Sequence, residues 1–381
     1  MTGTAREESR PLARPLPSGH NDFDVVVCGA GPAGATYAYM LARAGASVLL
    51  AGTGPRHPPH SLELLDGRAG DVLTRCGLAE TVVADAVRCA GVVGTWGQTG
   101  LLDKPALLDP YGGGWIIDRA VLDGRLVAAA VEAGAAHVTA SVRTAQPVPP
   151  FKIDGIESPL AVAHRADRRW WVGTTAGSLH CGQVVIATGR TGRLPERCGI
   201  RRMARDRLMA AVGWVNAAIP DLGDRVRIDA VPSGWWYRIG YGAGTAAGFV
   251  TDTDLLHPGP DRMNATWRHA VGHLGWRTPA QLRLRPRAAH TAVLAELLSR
   301  DVAGLAGSPY RIPVIGDAAL AVDPLSGHGL AIAFESAWRA ASDPLGYREW
   351  LADTAAQHHR QEREIYAAAG YPGPFWRRRL A

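Results

Sequence analysis

A short glycine-rich run near the start of the chain has the spacing of a phosphate-binding turn. The run consists of Gly29, Ala30, Gly31, Pro32, Ala33 and Gly34, a G-x-G-x-x-G pattern. A β-branched segment precedes it and a helical pattern follows it, which is the context that a dinucleotide fingerprint requires. The first glycine permits the tight turn, the second lets a pyrophosphate reach the backbone, and the third lets the helix pack closely on the strand. Because a helix N-terminus also attracts anions, the run predicts a dinucleotide site.

One position departs from this dinucleotide pattern. Such folds place an Asp or Glu about 20 residues after the glycines, where it hydrogen-bonds the ribose. This chain has Ala51 and Gly52 at the end of the corresponding strand. We therefore expect reduced affinity for a dinucleotide.

A second glycine-rich segment lies near the end of the chain. Its candidate binding residues are Gly316, Asp317, Pro324, Gly327, His328, Gly329 and Leu330. The segment follows an apolar stretch and ends where a helix is predicted to begin. Backbone N–H groups at a helix start can stabilise negative charge on a bound group. A plain strand-loop-helix connection remains the alternative.

Parallel strands and helices must position these two motifs, and the apolar patterns predict both kinds of element. Strands are predicted at Asp24–Cys28, Ala46–Leu50, Gln183–Ala187 and Tyr310–Ile315, and helices at Pro32–Ala44, Val121–Ala133 and Leu330–Ala341. The first strand, helix and strand form a compact βαβ unit, which predicts an α/β fold.

Residues 200 to 290 have a different, strand-rich pattern that predicts a separate lobe. Strands are predicted at Leu208–Ala217 and Gly234–Ile239, with a helical segment after Pro260. The predicted organisation is a flexible leader at 1–21, a discontinuous dinucleotide domain at 22–70, 110–195 and 291–341, a β-sheet-rich substrate lobe at 71–109 and 196–290, and a C-terminal helical segment at 342–381.

Composition narrows the classes of partner. The net charge is +6, but only Lys104 and Lys152 are lysines, and no basic stripe with interleaved aromatics is present, so we expect no nucleic-acid partner. The five cysteines show no metal-ligand spacing, and we expect no metal site. No long apolar run and no secretion signal is visible, so we expect a cytoplasmic protein without a membrane partner.

The two glycine-rich sites together resemble the flavoprotein group that contains aromatic hydroxylases, tryptophan halogenases and geranylgeranyl reductases. The resemblance implies FAD as the cofactor and a Rossmann-like FAD-binding domain of the glutathione-reductase type. It also implies that Asp317 hydrogen-bonds the ribityl chain and that the Ser326 to Leu330 backbone faces the flavin pyrimidine. Arg119 resembles the group's arginine near the flavin, and a solvated arginine at a helix start is its alternative.

The match to the halogenases is only partial. Their G-W-x-W-x-I-P signature has Tyr237 in place of the second tryptophan and Gly240 in place of the proline. Halogenases also use a lysine in a helix and a glutamate in the second glycine-rich loop. The matched region from Arg68 to Asp71 has no lysine, and Ser326 stands where the glutamate would be.

A closer resemblance covers nearly the whole chain and is to the flavoproteins that mature tryptophan-derived quinone cofactors, such as cysteine tryptophylquinone. The segments that carry it are Ala187-Thr188-Gly189-Arg190, Asp206-Arg207-Leu208, Gly234-Trp235-Trp236-Tyr237, Thr251-Asp252-Thr253-Asp254-Leu255 and Phe375-Trp376-Arg377-Arg378. The resemblance implies that reduced flavin and molecular oxygen insert oxygen into a peptidyl tryptophan. No second G-x-G-x-x-G is present for a nicotinamide cofactor, so we expect a separate flavin reductase as a partner.

Two titratable residues are candidates for catalysis. His328 would donate or orient a proton during oxygen transfer, since histidine titrates near neutrality. A loop histidine bonded to backbone is the alternative. Glu63 falls where relatives place a glutamate close to the flavin, and it is either a base or a helix cap.

Four neighbouring residues are candidates for binding the substrate: Trp235, Trp236, Tyr237 and Arg238. The aromatic rings could stack on an aromatic substrate, although aromatic residues on a strand more often pack in a core. The leading function is an FAD-dependent monooxygenase that hydroxylates an aromatic substrate, with a tryptophan in a protein or peptide in first place. A small-molecule aromatic hydroxylase or halogenase-like enzyme, an isoprenoid-type flavin reductase and a non-catalytic flavin-fold protein that binds a partner remain open.

Overall fold

The computed structural model describes residues 22–53, 57, 60–97, 100–148, 152–153, 156–157, 170–215, 222–242, 244–259, 261–272, 284–297 and 312–380. The predicted leader, residues 1–21, lies outside them. The described residues form a mixed α/β fold built around two large sheets, which confirms the predicted class.

The strands, in chain order, are β1 Asp22–Cys28, β2 Val48–Gly52, β3 Leu62–Leu65, β4 Val87–Cys89, β5 Gly91–Thr95, β6 Leu101–Pro105, β7 Gly114–Asp118, β8 Ala136–Thr139, β9 Val142–Pro147, β10 Lys152–Ile153, β11 Ile156–Glu157, β12 Trp170–Thr174, β13 Gly177–Ile186, β14 Arg202–Ala204, β15 Leu208–Val215, β16 Arg225–Val231, β17 Gly234–Tyr241, β18 Gly244–Asp252, β19 Arg285–Ala288, β20 Ala292–Leu294 and β21 Leu320–Ala321. The helices are α1 Pro32–Arg43, α2 Gly67–Cys76, α3 Ala79–Val83, α4 Arg119–Glu132, α5 Leu194–Arg197, α6 Arg262–Gly272, α7 Gly329–Ser342, α8 Tyr347–Ala369 and α9 Pro374–Arg377.

The first large sheet has the order β8-β2-β1-β13-β12-β9 and contains the predicted βαβ unit. Strands β8, β2, β1 and β13 run parallel to one another, and β12 and β9 add an antiparallel edge. Helices α1, α4 and α7 contribute to the core that covers this sheet. Strand β2 and the C-terminal ends of β1 and β13 are buried on both faces, which explains their nearly continuous apolar sequences.

Several predicted strand boundaries differ from the structure, most of all in β13, which begins at Gly177 rather than Gln183. β2 begins at Val48 rather than Ala46, because the N–H of Ala46 closes the end of α1 on Leu41. The predicted strand Tyr310–Ile315 falls partly outside the described residues. Its described part makes a single parallel bridge, Val314 to Ile186, since β13 ends there.

The second large sheet has the order β19-β15-β18-β17-β16-β5-β6, and it is antiparallel except for the β16–β5 pair. Its two faces bury different partners. One face packs against residues of α8 and α9. The other packs against α6 through Trp236, Phe249 and Trp267. The predicted C-terminal segment is helical. Its later part packs on this sheet, whereas Tyr347, Leu351 and Ala355 at the start of α8 belong to the core of the first large sheet.

Smaller sheets contribute side chains to the cores beside the two large ones. Strands β3, β7 and β4 form one antiparallel sheet, and β14, β20 and β21 form another. Helices α2 and α3 pack into the core of the first large sheet. The predicted boundary between the dinucleotide domain and the substrate lobe, at residues 70 and 71, falls within α2. The domain boundaries themselves stay a prediction. None of the described helices is long and apolar enough to cross a membrane.

Candidate functional site

The first glycine-rich turn lies between β1 and α1, at the carboxyl edge of the first sheet. Gly29 has a φ of 124°, and a Cβ there would lie 2.2 Å from the carbonyl oxygen of Ala187. A Cβ on Gly34 would lie 1.9 Å from the carbonyl oxygen of Gly29. Both glycines are therefore required by the packing of the protein itself.

Gly31 differs from these two glycines because a Cβ there would meet no protein atom within 4 Å. It is the N-cap of α1 and provides no side-chain cap to the first turn of that helix. The first N–H groups of a helix lack partners within the helix and carry partial positive charge. The space beside Gly31 therefore fits an anionic group such as a pyrophosphate.

The last residue of β2, Gly52, packs closely against the first glycine-rich turn. A Cβ at Gly52 would lie 2.4 Å from the Cβ of Ala30, so the glycine turn leaves no room for a side chain at that position. The N–H of Ala140 contacts the carbonyl oxygen of Gly52 at 3.2 Å. The reduced dinucleotide affinity expected from Ala51 and Gly52 stays a prediction.

The second glycine-rich segment brings another helix N-terminus to the same cavity. Gly316 has a φ of 60°, and its N–H donates to the Ser336 hydroxyl at 2.8 Å. Arg190 Nε donates to the Asp317 carboxylate at 2.9 Å. A Cβ at Gly327 or Gly329 would meet no atom within 4 Å, so the backbone at the start of α7 is open to a ligand.

His328 is the N-cap residue of α7 and contacts two other polar side chains. Its Nε2 lies 3.6 Å from the Asp66 carboxylate, and its ring centroid lies 5.4 Å from that of His358. Its buried Nδ1 has no hydrogen-bond partner among the described residues. Burial lowers the pKa of His328, against the attraction of Asp66. The side chain thus contacts a carboxylate rather than backbone.

Glu63 lies at the centre of a charged network. Its carboxylate accepts hydrogen bonds from Arg119 at 2.9 Å and from Arg287 at 3.1 Å. Arg287 also contacts His57 Nδ1 at 2.7 Å, and Arg119 bonds Asp123 at 3.3 Å. Burial opposes ionisation of Glu63, but the two guanidiniums outweigh it and lower its pKa to about 2.

This network bears on the alternatives left open for Glu63, a base or a helix cap, and for Arg119, a residue near the flavin or a solvated arginine. Glu63 lies in β3 and is not a helix cap, since Asp66 caps α2. A carboxylate with so low a pKa is a poor base near neutral pH. Arg119 is the first residue of α4, but its side chain is only 14% exposed and is paired, so it is not a solvated arginine.

Strand β17 separates the four predicted substrate residues onto two faces. Trp235 and Tyr237 line the cavity, whereas Trp236 and Arg238 do not. Trp236 packs against Trp267 at 4.5 Å, and Arg238 pairs with Asp229. The prediction was wrong for Trp236 and Arg238, because successive side chains of a strand point to opposite faces.

The cavity has a volume of about 2200 Å³, and every predicted cofactor residue except Gly34 lines it. Gly34 lies behind the turn, as its packing role requires. Small-molecule sites usually occupy about 300–1,000 Å³, so this cavity has room for a cofactor and a substrate together. Two open helix N-termini that face one cavity fit the pyrophosphate and the ring system of FAD.

The sequence reasoning missed several polar residues that complete the site. Tyr366 donates a hydrogen bond to Asp323 at 2.9 Å and accepts one from Trp235 Nε1 at 3.0 Å. Burial raises the pKa of Asp323 to about 6. His57, Asp66, Arg287, His358 and Glu362 also line the cavity. Polar residues at four-residue intervals in α8 were the available signal, because they interrupt its buried face.

The comparisons with curated proteins identify relatives along most of the chain. No protein-family model matches it. The chain is 30% identical over 349 residues to the menaquinone reductase of Mycobacterium tuberculosis, which covers 86% of this chain and 77% of that protein. It is 25% identical over 383 residues to LodB of Marinomonas mediterranea, described as an FAD-dependent oxidoreductase, with 94% and 97% covered.

Solved structures of flavoproteins have the same fold. The peptidyl tryptophan dihydroxylase QhpG, essential for tryptophylquinone cofactor biogenesis, matches with a TM-score of 0.68 and 22% identity over 94% of this chain and 79% of QhpG. The flavin-dependent halogenase CmlS matches with a TM-score of 0.72 and 20% identity over 93% and 67%. The p-nitrophenol 4-monooxygenase PnpA of Pseudomonas putida matches with a TM-score of 0.66 and 18% identity over 94% and 89%.

The sequence relatives and the shared fold agree with the two open helix N-termini of the cavity. The protein is therefore an enzyme that uses FAD, as the resemblance carried by the two glycine-rich motifs implied. The chain belongs to the family of FAD-dependent oxidoreductases that contains the menaquinone reductase.

Proposed function

We propose that this oxidoreductase is a monooxygenase that hydroxylates an aromatic ring, and that its substrate is a tryptophan in a protein or peptide. The observation that carries the proposal is the shared cavity. The start of α7 lines it together with the aromatic side chains of Trp235 and Tyr237. Hydrogen bonds from Trp235 to Tyr366 and from Tyr366 to Asp323 connect this wall to the loop before α7.

The residues of the chain divide the work of such a reaction. The N–H groups at the starts of α1 and α7 hold the phosphates and the ring system of the cofactor. Bound, reduced FAD supplies the electrons with which molecular oxygen hydroxylates the substrate. Tyr237 and Trp235 exclude water and orient the aromatic ring, and His328 donates or positions a proton.

The outer part of the cavity lining favours a protein or peptide as the substrate. Leu101, Leu108 and Tyr111 line the cavity and are 75%, 78% and 50% exposed. Apolar side chains at the opening are suited to contact the residues that flank a tryptophan in a protein or peptide substrate. The likeness to QhpG, whose substrate is a peptidyl tryptophan, supports the same proposal. The source of the electrons in this proposal is a separate flavin reductase.

The halogenase alternative has less support from the residues of the site. Helix α2, where halogenases have their lysine, contains none, and the Ser326 hydroxyl donates to the carbonyl oxygen of Asp323 at 2.9 Å. No carboxylate stands at that position of the loop.

A reductase is the second candidate, and the 30% identity to a menaquinone reductase favours it. In that case the electrons of the flavin reduce an unsaturated substrate directly, and oxygen is not consumed. The cavity volume also accommodates a long apolar molecule.

One assay distinguishes these candidates. The FAD-loaded protein is photoreduced and mixed with a synthetic tryptophan-containing peptide under isotopically heavy oxygen, with and without bromide. We expect a hydroxylated peptide that carries the heavy isotope and needs no bromide. A brominated peptide would establish the halogenase alternative. An unchanged peptide, together with anaerobic reduction of menaquinone by the photoreduced protein, would overturn the monooxygenase proposal in favour of the reductase.

A further inference from the structure

Helix α8 presents a row of three polar side chains to the cavity. His358, Glu362 and Tyr366 are spaced by four residues, so they lie on one face of the helix. All three line the cavity. His358 and Tyr366 are almost fully buried, and Glu362 is half-buried between them.

The ends of this row contact the two parts of the site. His358 packs against the ring of His328 at the start of α7, and Tyr366 bonds both Asp323 and Trp235. Glu362 is one helical turn from each of them. The Glu362 carboxylate therefore lies between the predicted flavin loop and the aromatic wall. The ring of a substrate would lie in the same space.

Most other carboxylates that line the cavity are already held by partners. Glu63 is bound by two arginines, Asp66 caps α2, Asp123 pairs with Arg119, and Asp317 pairs with Arg190. Among the described residues, Glu362 makes no hydrogen bond or ion pair of this kind. It thus differs from those carboxylates in being free to exchange a proton with a substrate.

The charges around Glu362 come from several elements. Asp323 approaches from the loop before α7, Asp206 and Arg205 from the segment before β15, and Arg379 from the end of the chain. His358, His359 and Tyr366 lie on α8 itself. Burial, then the Asp323 and Asp206 carboxylates, raise the pKa of Glu362 to about 7, against the opposing effect of both arginines. A carboxylate with such a pKa is suited to general acid–base catalysis at neutral pH.

We propose that Glu362 is the catalytic base that removes the ring proton of the aromatic substrate, a role that rests on the proposed hydroxylation. Once oxygen is bonded to the ring, that carbon still carries its hydrogen and the ring carries a positive charge. The Glu362 carboxylate forms an O–H bond as the ring C–H bond breaks. The electron pair of that bond restores the aromatic ring, and the neutral carboxyl group later releases its proton to solvent.

The test uses the FAD-loaded full chain and the tryptophan-containing peptide of the oxygen assay. We expect Glu362→Gln to lower kcat by about 100-fold or more. KM and FAD affinity should stay as in the parent protein, and Glu362→Asp should recover part of the loss. Because the base must be ionised, kcat of the parent should rise as pH increases through about 7, and Glu362→Gln should lose this rise.

A deuterated substrate separates a catalytic role from a structural one. With a ring-deuterated peptide, Glu362→Asp should show a larger isotope effect on kcat than the parent, because proton removal becomes slower. Glu349→Gln, an exposed position in the first turn of the same helix, is the matched control and should behave as the parent.

Each contrary result has a distinct meaning. If the parent hydroxylates the peptide and Glu362→Gln keeps its kcat and pH profile, the role of Glu362 is overturned and the proposed function stands. If the parent gives no hydroxylated peptide, both proposals fall. If Glu362→Gln does not fold, Glu362→Asp decides, and an unchanged isotope effect in that variant would overturn the role.

Discussion

The three glycines of the first glycine-rich turn have different physical roles. At Gly29 and Gly34 the protein backbone occupies the space of a side chain. At Gly31 that space is empty. The first two glycines are required for folding, and the third keeps room for the ligand.

Paired substitutions test this difference between the glycines. Gly31→Ala should leave the thermal stability of the FAD-free protein unchanged but weaken FAD binding about tenfold or more, because the methyl group enters the ligand's space. Gly34→Ala should destabilise the FAD-free protein by about 1–3 kcal/mol, since its Cβ overlaps a carbonyl oxygen. Calorimetry of both variants and flavin titration measure the two effects. Equal loss of stability in both variants would contradict this division.

The charge of Glu63 makes a pH-dependent contribution to stability. Its folded pKa of about 2 is below the unfolded value, so the contribution is present above pH 4.5 and is lost as pH falls toward 2. The shift corresponds to about 3 kcal/mol. Urea unfolding of the parent and Glu63→Gln should therefore show a stability difference at pH 6 that shrinks toward pH 2. A difference that does not change with pH would show that Glu63 is not held ionised by its arginines.

At the scale of elements, strand β17 assigns two neighbouring tryptophans to different tasks. Trp235 faces the cavity and the C-terminal helices. Trp236 faces α6 and is fully buried against Phe249 and Trp267. The ring of Tyr237 lies over Gly248 of β18, where a Cβ would lie 2.1 Å from Tyr237 Cε1. Trp235 is therefore part of both the core and the cavity wall, whereas Trp236, on the opposite face of the strand, is part of the core alone.

Substitutions of two neighbouring residues on β17 test which face of the strand contacts the substrate. Trp236→Ala should lower the free energy of unfolding by about 3–5 kcal/mol, because a large buried ring is lost from the core. It should leave KM for the tryptophan peptide unchanged in the folded fraction. Tyr237→Ala should raise that KM several-fold at a smaller cost in stability. The reverse pattern, in urea unfolding and steady-state kinetics, would place the substrate on the other face.

At the scale of the whole molecule, the C-terminal helix α8 joins the two halves of the cavity. Tyr366 on this helix bonds Asp323, which precedes the second glycine-rich loop, and Trp235 in the second sheet. Its hydroxyl is buried. The helix thus fixes the distance between the predicted flavin loop and the aromatic wall.

Removal of one hydroxyl group tests this connection. Tyr366→Phe should destabilise the protein by about 1–3 kcal/mol, because the Asp323 carboxylate and the Trp235 N–H lose a buried partner. Tyr371→Phe is the matched control. Its half-buried hydroxyl donates only to the carbonyl oxygen of Ala230 at 3.2 Å, and its loss should be smaller. Equal losses in urea unfolding would contradict a special role for Tyr366.

The βαβ unit, the glycine turns and a dinucleotide site could be predicted from the residue pattern, and the resemblance that the two glycine-rich sites carry implied FAD. These features depend on backbone dihedrals, on periodicity and on the N–H groups of a helix start, all of which act within a few residues. The turn at Gly29 to Gly34 is local in this sense. The helices α1, α4 and α7 were accordingly predicted to within two residues at each end.

Only the tertiary structure decided which side chains meet in the cavity. Glu63 and Arg287 are 224 residues apart, and Trp235 and Tyr366 are 131 apart. Such pairs depend on the order of the strands and on which face each helix covers. Alternation in β17 was visible in the sequence, but it did not show which face would be the cavity. That choice follows from packing α8 on one side of the sheet and α6 on the other.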